Sequence, residues 1–210
     1  MNAIDSVVLE VADPQAAARF YSAAFALDPS RVRVRASEAP STGFRGFTLS
    51  LVVSQPGNVD ALMGAALDAG ATTLKPASKS LWGYGGVVRA PDGTVWQIAT
   101  SAKKDTGPVT RDVDDLVLLL GVEDVKAVKR FYVERGFTVA KSFGGKYVEF
   151  AAGPDSVKLS LYKRRGLAKV AGVPAEGTGS HRLVLTGAGG PFSDPDGFVW
   201  EPATPVAAAG

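Results

Sequence analysis

One stretch of this chain is written twice. Gly83-Tyr-Gly-Gly-Val-Val-Arg-Ala-Pro-Asp-Gly-Thr-Val-Trp-Gln97 returns as Gly187-Ala-Gly-Gly-Pro-Phe-Ser-Asp-Pro-Asp-Gly-Phe-Val-Trp-Glu201. Gly83, Gly85, Gly86, Pro91, Asp92, Gly93, Val95 and Trp96 recur at one spacing of 104 (196 − 92 = 104). Pro-Asp-Gly is turn chemistry: Pro presets φ, Asp bonds locally and Gly tolerates the exit. The β-branched and aromatic residues that follow predict a strand after each turn. Upstream, Val11, Asp13, Ala16, Arg19, Phe20 and Tyr21 recur as Val122, Asp124, Ala127, Arg130, Phe131 and Tyr132, 111 positions on (131 − 20 = 111). Two motifs returning in one order predict a duplicated domain. Their spacings differ by seven (111 − 104 = 7), so the halves have diverged by insertion or deletion between motifs.

A length of 210 residues accommodates two such domains, each of the common size of about 100 residues. The expected division is residues 1–101, a polar linker 102–111 broken by Gly107-Pro108, residues 112–204, and a tail 205–210. A net charge of +2 is too mild to argue for nucleic acid. Without cysteine there is no disulfide framework, zinc cluster or thiol nucleophile. The start, Met1-Asn-Ala-Ile-Asp5, has no signal-peptide pattern. The longest apolar run, Leu116–Val122, has seven residues, far short of a membrane span. A soluble, cytoplasmic protein is the expectation.

Local patterns fill in the halves. Asp13 and Pro14 start a helix whose Ala17, Phe20, Tyr21 and Ala24 share one face. Arg31-Val-Arg-Val-Arg35 alternates as a strand with a solvated face, and Phe47–Val53 is an apolar strand. Pro56-Gly57-Asn58 is expected to cap a helix that stops at Gly70. In the second half strands are expected at 115–121, 137–142, 146–151, 157–162 and 181–186, with a capped helix from Asp124 and a short helix at 166–172. The glycines at 83–86 and 187–190 read as turns and bulges, because they lack the strand-to-helix context of a phosphate loop. Lys163-Arg164-Arg165 reads as a solvated strand end.

Strand, capped helix ending in Arg-Phe-Tyr, several strands, then Pro-Asp-Gly before a last strand: this order resembles the vicinal oxygen chelate superfamily of glyoxalases, bleomycin-resistance proteins and extradiol dioxygenases. The residues carrying it are Val11, Asp13, Phe20, Tyr21, Ala69-Gly70-Ala71 and Pro91-Asp92-Gly93, then Val122, Asp124, Phe131, Tyr132 and Asp194-Pro195-Asp196-Gly197. The resemblance implies an α+β fold: two tandem glyoxalase-like domains of βαβββ modules with curved, mostly antiparallel sheets, each half partly truncated. Such a fold hosts many chemistries, so function must be argued at the site.

The family's metal-ligand positions fall here on Ser6, Phe47 or nearby, and Gln97 in the first half, and on Val117, Leu159, His181 and Glu201 in the second. A catalytic metal usually draws on about three protein ligands. His181, the lone histidine, and Glu201 fall short of that. No metal or other cofactor is therefore expected, with divalent Zn, Ni, Fe or Mn at His181 and Glu201 as the alternative. The two residues stand as a hydrogen-bonded structural pair or as a metal-free acid/base pair. Trp82, Tyr84, Gln97, Tyr147 and Phe192 are expected to line a cleft and stack on a small, partly aromatic molecule. No Gly-x-Ser-x-Gly is present. The leading expectation is a metal-free protein that sequesters or senses a small molecule, as a monomer or homodimer, without nucleic acid or membrane partners. The alternatives are a lyase, isomerase or dioxygenase using His181 and Glu201, and a purely structural or interaction role.

Overall fold

The structure, a computed structural model, describes residues 3–153, 156–187 and 190–203; the expected tail at 205–210 lies outside the described residues. The chain opens with β1 (Ile4–Val11), α1 (Pro14–Phe25), β2 (Val32–Ala36) and β3 (Ser41–Gly43). Asp13 accepts a hydrogen bond from the Ala16 amide at 2.9 Å, and Ala17, Phe20, Tyr21 and Ala24 are buried, as their spacing predicts. A complete βαβββ module follows: β4 (Phe47–Val52), α2 (Pro56–Asp68), β5 (Thr72–Ser80), β6 (Gly83–Arg89) and β7 (Val95–Thr100). A second complete module is β8 (Asp115–Val122), α3 (Val125–Glu134), β9 (Val139–Phe143), β10 (Tyr147–Phe150) and β11 (Lys158–Lys163). The chain closes with α4 (Arg164–Ala171), β12 (Gly177–Gly179), β13 (Leu183–Gly187), β14 (Phe192–Ser193) and β15 (Val199–Glu201). Truncation therefore falls on the outer modules, and the middle ones are whole.

Two large sheets cross between the halves. The two complete modules join in an eight-stranded sheet, β5-β6-β7-β4-β8-β11-β10-β9, where Phe47 faces Leu120 and Val52 faces Asp115. The outer modules join in a five-stranded sheet, β14-β15-β13-β1-β2, and β12 pairs with β3. The segment at 102–111 links the halves in sequence, but neither large sheet ends there. That segment is also tied down. Buried Gln55 accepts from the Thr106 and Gly107 amides at 2.8 and 2.9 Å and donates to the Pro108 carbonyl at 2.8 Å. Asn58, expected as a helix cap, is instead buried inside α2, where its Oδ1 accepts from the Thr110 amide at 2.9 Å.

Strand alternation decides which side is core. Leu49, Leu51, Trp96, Ile98, Leu118, Leu120, Leu159 and Leu161 of the larger sheet are buried with Val59 and Leu62 of α2 and Val128 and Tyr132 of α3. The same continuous core takes Val7, Leu9, Leu185 and Trp200 of the smaller sheet and Phe20 and Phe25 of α1. Within this core the repeated motifs meet. Tyr21 Oη donates to Asp92 Oδ2 at 2.5 Å, and Tyr132 Oη donates to Asp194 Oδ2 at 2.9 Å. The second partner is Asp194, not Asp196, which aligns with Asp92 in sequence.

Two local expectations change. Gly83–Gly86 belong to β6 and are not turns. A Cβ on Gly85 would stand 2.8 Å from the Ile98 carbonyl oxygen of the neighbouring strand β7, a backbone atom that cannot give way, so the close approach of β7 requires glycine there. His181 precedes β13, because Arg182 takes a left-handed φ of 55° that breaks the strand.

Candidate functional site

The other face of the eight-stranded sheet carries Thr48, Ser50, Val87, Gln97, Ala99, Val117, Leu119, Tyr147, Glu149, Ser160 and Tyr162, as the register of the paired strands requires. Part of this face is filled. Leu167 and Ala168 of α4 pack on Phe44 and Leu119, and Ala171 packs on Val87 and Val95. Helix α4 is fixed at both ends. Arg164 Nη2 donates to the Phe44 carbonyl at 2.7 Å, and Lys75 Nζ donates to the carbonyls of Lys169 and Val170 at 2.6 and 2.8 Å.

Beside α4 a cavity of about 870 Å³ remains, reached by both edges of the sheet. Trp82 and Tyr84 enter from the β5–β6 side, Phe143, Tyr147 and Tyr162 from the β9–β11 side, and Gln97 and Ala99 from the centre. That both edges wall one space shows how strongly the sheet curls. Trp82 and Phe143 are 84% and 65% exposed, so they form an open aromatic rim. Deeper, Phe143 stacks on Tyr147 at 5.9 Å and Tyr147 meets the edge of Tyr162 at 4.9 Å. Bare backbone at Gly85 leaves the neighbouring floor open.

The polar groups form two sets. Gln97 Nε2 donates to Thr48 Oγ1 at 2.7 Å, which orients the amide with its oxygen available as an acceptor. At the other wall Tyr147 Oη donates to Glu149 Oε2 at 2.8 Å, Ser160 Oγ lies 3.3 Å from Tyr147 Oη, and Lys141 Nζ lies 3.3 Å from Glu149 Oε1. Burial pushes the Tyr147 phenol well above its usual value; Ser160 opposes this and Glu149 reinforces it. Burial also raises Tyr162. Both phenols are thus neutral donors at physiological pH.

Four of the five expected ligand-lining residues, Trp82, Tyr84, Gln97 and Tyr147, come together here. Phe192 does not: it sits in β14 against the core, stacked on Trp200 at 5.2 Å and meeting Phe131 at 5.6 Å. Phe143, Glu149, Ser160 and Tyr162 were missed; the alternation of Tyr147 with Glu149 on one strand was the signal for that wall.

Glu201 lies on the smaller sheet and His181 just before its strand β13, apart from this cleft and from each other. Glu201 faces Thr186 in register, and His181 stands five residues before Thr186 (186 − 181 = 5), on the other side of the turn at Arg182. His181 Nδ1 and Nε2 lie 2.6 and 3.0 Å from the carbonyl oxygens of Arg45 and Asp196, and the ring stacks on Phe198 at 4.0 Å. Glu201 accepts from Arg35 Nη1 at 3.0 and 3.2 Å, and Arg35 also reaches Glu10 at 2.7 Å. The expected pair is two separate structural contacts. The other carried-over positions fare alike: Ser6 bonds Thr186 at 2.7 Å, Phe47 and Leu159 face the core, and Val117 lies beside α4. No group of three or more His, Cys, Asp or Glu that could hold a metal occurs among the described residues. With the His181 nitrogens committed to carbonyls and Glu201 to Arg35, the donors do not fit a divalent ion.

Curled sheets of βαβββ modules, with helices in the core and a cleft on the opposite face, make up a glyoxalase-like fold. Among solved structures, the chain is similar to the V278E variant of glyoxalase I from Zea mays, with TM-score 0.59 and 14% identity over 96% of this chain and 92% of that one. Glyoxalase I from Zea mays in another structure gives 0.59 and 13%, covering 89% and 75%. A Bacillus subtilis strain 168 protein, provisionally named a dioxygenase, gives 0.56 and 14%, covering 88% and 69%. At this identity the likeness is one of fold. No protein-family model and no curated protein matches the sequence. No helix among the described residues is long and apolar enough to cross a membrane.

Proposed function

We propose that the protein binds a small, flat, partly aromatic molecule in the cleft of the eight-stranded sheet and sequesters or senses it without a metal. The observation carrying this reading is the cavity of about 870 Å³ walled by Trp82, Tyr84, Phe143, Tyr147 and Tyr162. Its volume falls in the range of about 300–1,000 Å³ typical of small-ligand sites. Aromatic faces offer stacking, while Gln97 and the Ser160–Tyr147–Glu149 chain offer directional hydrogen bonds. An enzyme drawing on His181 and Glu201 would need them to converge, and their own partners hold them apart. Each complete module already meets another within one chain, which favours a monomer.

Trp82 gives a direct test, because Trp96 and Trp200 are buried. Titration of a panel of planar aromatic compounds should quench tryptophan fluorescence, and Trp82→Ala should abolish the signal while calorimetry reports weaker binding. Glu201→Gln should bind as the parent does. A panel without any binder, or stoichiometric zinc, nickel, iron or manganese in protein purified without chelator, would overturn the metal-free binding reading.

A further inference from the structure

A second cavity, of about 620 Å³, lies beside α1 and shares no lining residue with the cleft. Its apolar wall includes Ala16, Phe20 and Pro91, and Arg45 and Arg182 also line it. The carboxylates there are already committed. Glu10 pairs with Arg35 at 2.7 Å, Asp13 caps α1 at 2.9 Å, and Asp92 accepts from Tyr21 at 2.5 Å and from the Thr94 amide at 2.8 Å.

The arginines are not neutralised in this way. Among the described residues neither Arg45 nor Arg182 forms an ion pair. Arg45 Nη2 donates to the Asp92 carbonyl at 2.7 Å, and Arg182 Nη1 donates to the Ser37 carbonyl. Arg45 Nη1 and Arg182 Nε are each shielded from solvent and have no hydrogen-bond partner. Burial lowers the Arg45 pKa, and against the attraction of Asp92 the charge of Arg182 lowers it further. Arg182 is moreover held in a left-handed backbone conformation that a side-chain-bearing residue rarely adopts. Two like charges, partly desolvated and incompletely hydrogen-bonded, are stabilised by a shared anion.

We propose that this cavity binds a small organic anion, its carboxylate or phosphate between Arg45 and Arg182 and its apolar body against Ala16, Phe20 and Pro91. The apolar wall favours an amphipathic anion over a bare inorganic one. The site is independent of the cleft and of what the cleft binds.

Hexanoate, monohexyl phosphate and neutral hexanol, titrated at constant ionic strength into ¹⁵N-labelled protein, test this. Either anion should shift the amides of Ala12, Ala16 and Arg182 and leave Gln97 and Ala99 in place; the tighter of the two identifies the head group. Hexanol should bind at least about tenfold more weakly, and Arg45→Gln and Arg182→Gln should each weaken the anion about tenfold or more. Should those variants fail to fold, Ala16→Trp decides: position 16 is exposed, so the indole fills the cavity without disturbing the core, and binding should vanish. No shift with either anion at millimolar concentration, equal affinity for hexanol, or undiminished binding by Ala16→Trp would refute the site.

Discussion

Tyr132 does in the second half what Tyr21 does in the first, with one more partner. Its hydroxyl donates to Asp194 and accepts from Trp200 Nε1 at 3.1 Å. Burial holds both phenols far above their usual pKa, and Asp92 and Asp194 respectively add to it, so both stay donors. Tyr132→Phe would strand a carboxylate oxygen and an indole N–H in the core, and should cost about 2 kcal/mol in urea unfolding. Tyr21→Phe strands only one acceptor and should cost about half as much. Asp194 makes the pH dependence testable. Burial raises its carboxyl pKa and the charge of Asp196 adds to this, against hydrogen bonds from Phe198, Tyr132 and Asp196 that lower it. With the folded value above the unfolded one, the stability Asp194 contributes is full below the unfolded pKa of about 4 and is lost as pH rises through the folded value. Asp194→Asn lacks that loss. Its penalty relative to the parent in urea unfolding should therefore be larger at pH 4 than at pH 7; an equal penalty at both would refute the shift.

Among the elements, α1 was readable because its apolar spacing, Asp13 cap and Pro14 all lie within the helix they specify. Strand β6 was not, since the reason for Gly85 is the backbone of Ile98, beyond the intervening turn and brought close only by the pairing of β6 with β7. Nor could alternation alone place His181, because the turn at Arg182 removes it from the face that Leu183 and Leu185 share. The cleft was legible in its aromatic residues but not in its filling: the short helix expected at 166–172 turns out to be α4, which occupies the region around Val117 and Leu119. Lys75 holds its C-terminal end, where a cation also meets the helix dipole favourably. Lys75→Met should remove these bonds at a cost of about 1 kcal/mol. Amide hydrogen exchange should then quicken at residues 168–172 and remain unchanged in α1. Unchanged exchange at 168–172 would mean that packing of Leu167 and Ala171 alone fixes the helix.

For the whole molecule, the repeat reports ancestry more faithfully than it reports connectivity. Tyr21–Asp92 and Tyr132–Asp194 each tie a helix to the closing turn of its own half, so the duplicated motifs make equivalent contacts. Pairing runs the other way, β4 with β8 and β1 with β13. Nothing local in those strands states which partner they take, so the sequence could not disclose that the cleft is shared by both halves. A chain broken between residues 103 and 104 separates these two kinds of bond. Gln55 would still receive residues 106–108 of the second fragment, and β4 and β8 would still offer matching apolar strands. Co-expressed fragments 1–103 and 104–210 should copurify in equal amounts with the parent circular dichroism spectrum. Each fragment alone would leave an interior strand of both large sheets without its partner and expose apolar edges, a recipe for aggregation. If each fragment instead proves folded and monomeric by light scattering, the halves are autonomous domains and the sheet crossing contributes little to the fold.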